Sequence, residues 1–192
     1  GNFSWVHTVF IYAYFFTDNS HCLSVTEHLA ALAHVTVDDI IFMIKKEEYM
    51  FSTVGMIGLG IMGHSMSANM IKDGLQVVGY GGPRSNADKI AALEKVGGNG
   101  ANSPREVAER VDVINTCLPS VASLDEVIYA EDGILAAGPK NLVIIESSTF
   151  PLEDKVRIHD DLANHGITML DCPISGTGAQ AVTKDLSIYV SG

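Results

Sequence analysis

The stretch 53–74, TVGMIGLGIMGHSMSANMIKDG, limits the fold more than any other part of the chain. Residues 53–57 are a short apolar run of the kind that forms a buried parallel strand. They run into Gly58-Leu59-Gly60-Ile61-Met62-Gly63, glycines spaced G-x-G-x-x-G. Met62, Met66, Met70 and Ile71 then recur at helical spacing as far as Gly74, a candidate C-terminal stop. In such a strand–turn–helix the first glycine makes the tight turn and the second lets the backbone approach a pyrophosphate. The third lets helix and strand pack closely. The helix N-terminus offers free N–H groups to the anion. Glycine triplets also occur in ordinary turns without a ligand. The flanking strand and helix are what favour a nucleotide site here.

Beyond this unit, apolar strands alternate with helices. Strands are expected at 76–80, 99–101, 111–116, 141–145, 167–170 and 186–190. Helices are expected at 86–96, from Ser103, at 120–129, and from Pro151 to His165. Ser103-Pro104-x-Glu106 is a strong helix start: N-cap, Pro at the first position, capping Glu. The alternation predicts an α/β fold, a doubly wound, mostly parallel Rossmann-type sheet with helices on both faces. Residues 53–192 form that domain, in two halves at 53–101 and 111–171.

Residues 1–52 read differently, as an atypical, irregular or partly helical extension. They hold ten of the fourteen aromatics and four of the seven histidines. The apolar run at 3–16 is shorter than the roughly 20 residues a spanning helix needs. No Lys or Arg precedes Lys45, as a signal peptide would require. Membrane attachment is therefore not expected. Short helices are expected from the capping patterns Ser24-x-x-Glu27 and Thr36-x-x-Asp39. His7, His21, His28 and His34 lack ligand spacing, and no metal site is expected. The chain's 192 residues have room for one domain of about 100–200 residues and this appendage. The net charge of −11, with scattered cations, argues against a nucleic-acid partner. Cys22, Cys117 and Cys172 are odd in number and show no C-x-x-C spacing, which favours a reducing compartment, the cytoplasm.

Three loops carry the remaining chemistry. At the end of the second strand, a dinucleotide fingerprint calls for an Asp or Glu on the ribose of NAD. Here stand Gly81, Gly82, Pro83, Arg84 and Ser85. Arg84 suits the 2′-phosphate of NADP and Ser85 could donate to it, so NADP is favoured over NAD. The competing reading makes Arg84 a solvated turn residue. Cys117-Leu118-Pro119-Ser120 lies at the carboxyl end of a strand, where ligands of doubly wound sheets sit. The run from Asp171 to Ala181 is rich in small residues and exposed N–H groups, suited to a carboxylate.

In order along the chain, Gly58–Gly63, Leu118-Pro119-Ser120, Ser147-Ser148-Thr149 and Asp171-Cys172-Pro173-Ile174-Ser175-Gly176 resemble the β-hydroxyacid dehydrogenase family, the relatives of 3-hydroxyisobutyrate dehydrogenase. The resemblance covers residues 53–192 and implies NAD(P)-linked oxidation of a small β-hydroxy acid, or the reverse. It implies that Leu59, Gly60, Ile61 and Met62 line the pyrophosphate and ribose. Leu118 and Pro119 would lie against the adenosine or nicotinamide, and Thr149 near the nicotinamide. Ser175 and Gly176, with Thr177 beside them, would hold the substrate carboxylate. The chain departs from the family at Thr177, usually a second glycine, which implies a loop shaped for a bulkier or more polar acid. It departs again at Gly81, usually acidic or Asn. The family's catalytic lysine belongs to a second, helical domain, and no lysine up to Gly192 matches its motif. Residues 1–192 are therefore expected to bind cofactor without turnover, and the full-length form to be a homo-oligomer. The alternative is a non-enzymatic nucleotide-binding or oligomer-scaffolding module.

Overall fold

Short runs of β-branched and other apolar residues, buried on both sides, build the centre of the molecule. The computed structural model describes residues 52–83, 86–138 and 141–191. The expectations for residues 1–51, Arg84 and Ser85 lie outside the described residues. Six strands form one parallel sheet: β1 (Thr53–Ile57), β2 (Gln76–Tyr80), β3 (Asn99–Gly100), β4 (Val113–Thr116), β5 (Val143–Glu146) and β6 (Thr168–Asp171). Their order is β3-β2-β1-β4-β5-β6. The chain thus reverses direction across the sheet between β1 and β4, the place where such folds open a crevice at the strands' carboxyl ends.

The helices are α1 (Ile61–Lys72), α2 (Asn86–Lys95), α3 (Pro104–Arg110), α4 (Val121–Tyr129), α5 (Leu152–Asn164) and α6 (Gly178–Thr183), with a 3-10 turn at Ile134–Ala137. Alternation along each strand divides the core in two. Val54, Met56, Val77, Val113 and Ile145 pack with Met66 and Met70 of α1 and Leu93 of α2. Ile57, Val78, Ile114 and Ile144 pack on the other face with Val107 of α3, Leu124 and Ile128 of α4, and Ile158 and Leu162 of α5. Gly55 belongs to this second face, where a Cβ would fall 2.6 Å from Val107 Cγ1.

Most expected elements are present, shifted by a residue or two at their ends. Ser103 does cap α3, accepting from the Glu106 N–H at 3.1 Å. Glu106 reaches one residue further back than a capping box requires, taking the Asn102 N–H at 2.8 Å. The last expected strand differs more. Residues Ser187–Ile188 (β8) leave the main sheet and pair antiparallel with Ile174–Ser175 (β7). After α6 the chain folds straight back, with the Tyr189 N–H donating to Pro173 O and Ser191 pairing antiparallel with Asp171.

Candidate functional site

The glycine turn after β1 is shaped by backbone contacts. Gly58 has φ +104°, and a Cβ there would lie 2.1 Å from Cys117 O. A Cβ on Gly63 would lie 2.0 Å from Gly58 O. These two glycines let α1 start against the ends of β1 and β4. Gly60 is different. Its φ is −77°, and a Cβ there would meet nothing within 4 Å. It is the N-cap of α1 and provides no side-chain cap to the first-turn N–H groups.

A cleft of about 820 Å³ opens over this turn, at the carboxyl ends of β1, β2 and β4. Of the residues expected to hold a dinucleotide, Gly58, Gly60, Ile61, Met62, Gly63, Leu118 and Pro119 line it. Leu59 does not: its side chain is buried in the core beside Gly79. The motif position allows Leu59 a backbone contact only, because alternation at the strand end turns its side chain inward. Thr149 is exposed beyond β5 and is not among the cleft's lining residues.

The rim at the end of β2 holds residues that sequence reasoning missed. The Gly81 N–H donates to Asn86 Oδ1, and Lys89 Nζ donates to Gly81 O, each at 2.7 Å. A Cβ on Gly81 would lie 2.7 Å from Lys89 Cδ. Any side chain at 81 would therefore require the Lys89 stem, which lies across it, to shift. Lys89 lines the cleft, as do Glu126, Glu131 and Asp132. Tyr80, buried in the cleft floor, has its phenol pKa raised by burial first and by the negative Glu126 and Asp132 second.

The other half of the candidate site follows β5 and β6. Ser175, Gly176 and Thr177 are all exposed. Gly176 takes φ +149°. Thr177 N-caps α6: Gln180 N donates to its hydroxyl at 3.3 Å, and its own N–H donates to Gln180 Oε1 at 2.9 Å. Thr177-Gly178-Ala179-Gln180 is a capping box legible in the sequence. The threonine that was expected to shape the loop for a larger acid thus has a local structural role first. Ile61 joins the two halves, since a Cβ on Gly178 would lie 2.4 Å from its Cγ2. The glycine turn and the small-residue loop are therefore neighbours in space.

Beneath that loop is a buried ion cluster. Glu146 and Asp171 are register partners on β5 and β6. Lys155 of α5 lies over both, 2.8 Å from Glu146 Oε2 and in contact with Asp171 Oδ1. It also donates to Ser148 O at 2.6 Å. Burial works to lower the lysine pKa, but the bonds from Asp171 and Glu146 outweigh it and the ammonium is held above its ordinary value. Both nearby thiols have raised pKa values. Burial, then the Glu146 charge, pushes Cys117 up to about 11. Burial, then Asp171, pushes Cys172 up to about 12. Among the described residues, no helix is long and apolar enough to cross a membrane.

The chain is 36% identical over 140 residues to a probable mitochondrial 3-hydroxyisobutyrate dehydrogenase of Dictyostelium discoideum, covering 73% of this chain and 43% of that protein. The solved 3-hydroxyisobutyrate dehydrogenase of Mycobacterium tuberculosis, with L-serine, is 30% identical with a TM-score of 0.67, covering 74% and 47% of the two chains. A structure of Psf3 in complex with NADP+ and 2-OPP is 25% identical with a TM-score of 0.66, covering 71% and 48%. The chain thus spans less than half the length of each of these relatives. Residues 53–192 match the family described as the NAD binding domain of 6-phosphogluconate dehydrogenase. With that match and 3-hydroxyisobutyrate dehydrogenases among its relatives, the chain belongs to this family of dinucleotide-binding domains.

Proposed function

We propose that residues 53–192 are the cofactor-binding half of a β-hydroxyacid dehydrogenase, serving hydride transfer between NAD(P) and a small hydroxy acid. Gly60 carries this reading. Contacts inside the protein account for Gly58 and Gly63, but neither conformation nor packing requires glycine at 60. Close approach of a pyrophosphate does. The residues present fit such a group: Gly60, Ile61 and Met62 present backbone at an uncapped helix N-terminus that favours anions. Leu118 and Pro119 supply an apolar wall for a sugar or ring.

When bound, the nicotinamide accepts or gives the hydride, and the protein supplies orientation and electrostatics. Thr149 stands at the nicotinamide end in this reading. Ser175 and Gly176 hold the substrate carboxylate, with Thr177 fixing their loop. We favour NADP over NAD. Gly81 offers no carboxylate to a ribose 2′-hydroxyl, and Lys89 is a cation at the same rim, joined by Arg84 in the sequence. Proton transfer at the hydroxyl contributes about 10²–10⁴-fold in enzymes of this chemistry. No lysine within residues 1–192 matches the one the family uses, so these residues by themselves bind dinucleotide without turning over a hydroxy acid. The full-length protein is a homo-oligomer of a reducing compartment, the cytoplasm in our reading.

Fluorescence titration of the purified chain with NADPH and NADH tests the reading. Saturable binding of both, tighter for NADPH, is expected. Absence of binding by either overturns the cofactor assignment, and tighter NADH binding reverses the preference.

A further inference from the structure

The Glu146–Lys155–Asp171 cluster does more than neutralise charge. Its two carboxylates stand side by side on adjacent strands, and Lys155 spends its donors on Ser148 O, Glu146 Oε2 and Asp171 Oδ1. Lys155 is 4% exposed and Glu146 fully buried. Burying such a triad gains little stability, because desolvation offsets most of the Coulomb attraction and apolar replacements often serve as well. What the triad does have is connectivity. Towards the cleft, Glu146 Oε1 accepts the Ser148 N–H at 2.9 Å, and Ser148 Oγ accepts the N–H of cleft-lining Leu118 at 2.9 Å. Towards the small-residue loop, Asp171 exchanges backbone bonds with Ser191, and Cys172 N–H donates to Glu146 O at 2.8 Å. An unbroken line of bonds therefore runs from the cofactor wall to the strand that delivers Ser175.

We infer that Lys155 is a positioning residue that couples the two halves of the site: it ties the segment 172–177 to the cofactor wall at Leu118, so that occupancy of the cleft by a dinucleotide rigidifies the loop meant for the substrate carboxylate. Dinucleotide binding itself rests on the function proposed above; the coupling of the two segments does not. The coupling is carried by bonded contacts with defined partners. It takes the form of local opening shared between segments.

Amide hydrogen exchange on the whole chain tests this in two arms. Without ligand, Ser148→Ala cuts the link between Leu118 and Glu146 and leaves the ion triad whole. The pair Lys155→Met with Glu146→Gln removes the triad's centre without leaving Glu146 charged. Each is expected to speed exchange at least fivefold both around Leu118 and across 172–177. Lys155→Arg, which keeps the charge, is expected to recover most of the protection. With NADPH added, the native chain is expected to slow exchange across 172–177, and both variants to lose that response while a fluorescence titration still registers binding. If either variant opens only its own neighbourhood, or if the ligand response survives in both, the inference is overturned. Failure of the native chain to bind NADPH sinks the functional proposal and with it the ligand-driven rigidification, while the ligand-free arm still decides the coupling of the two segments.

Discussion

At the scale of single residues, the three glycines of the turn have separable duties. Gly58 sits at positive φ with a backbone oxygen where a Cβ would go. Gly58→Ala is expected to lower stability by at least about 2 kcal/mol, measured by urea unfolding. Gly60→Ala is the informative contrast, since the protein leaves room for a methyl. Stability is expected to change by no more than about 1 kcal/mol. NADPH affinity, measured by fluorescence titration, should fall more than about tenfold, which is about 1.4 kcal/mol. Unchanged affinity would remove the main support for a pyrophosphate at this turn. Leu59 shows the limit of motif reasoning: neighbouring positions of one motif face opposite ways, and Leu59 is buried in the core while Gly58, Gly60, Ile61, Met62 and Gly63 line the cleft.

At the scale of elements, local chemistry sets most of the boundaries. Ser103 and Ser120 cap α3 and α4 with their hydroxyls. Ser103→Ala is expected to cost about 1 kcal/mol of unfolding free energy, again read from urea curves. The helix α5 is harder to read. It looks like a solvated polar helix, yet Lys155, Ile158 and Leu162 form its buried stripe at helical spacing. That spacing was available in the sequence. The lysine hid it, because a charged residue is read as outward-facing unless a buried partner is known. The pairing of β7 with β8 was hidden for another reason: a two-residue strand carries too little pattern to reveal its partner.

For the whole molecule, two bulk measurements follow. Cys117, Cys172, Tyr80, Tyr129 and Lys155 all have folded pKa values raised above their ordinary ones, the thiols to about 11 and about 12 and Tyr129 to about 12. A raised folded pKa gives stability that is whole below the unfolded value and lost as pH climbs through the folded one. Above the thiols' ordinary value of 9.0 the urea midpoint is therefore expected to fall steadily as pH rises towards about 12. A flat profile across that window would show these groups to be solvated. Ligand linkage gives the second measurement. A dinucleotide at a hundred times its Kd adds about 2.7 kcal/mol, and the thermal midpoint is expected to rise by about 5–10 °C. A shift with NADPH that is absent with AMP alone assigns the effect to the full dinucleotide.

By itself the sequence determined the order of strands and helices, the glycine turn and the Ser103 cap. It also placed the cleft's glycines, Leu118 and Pro119, since strand alternation, helical spacing, turn stereochemistry and capping act over a few residues. Tertiary structure alone decided which of these pieces share a site. The β3-β2-β1-β4-β5-β6 order brings Cys117 against Gly58. The register of β5 on β6 sets Glu146 beside Asp171, and the docking of α5 drops Lys155 between them. These contacts join residues far apart in the chain, and their energy depends on burial and register that no local window contains. For the same reason Gly81 read as a missing carboxylate, whereas in the folded chain it is the space that lets Lys89 lie across the cleft's rim.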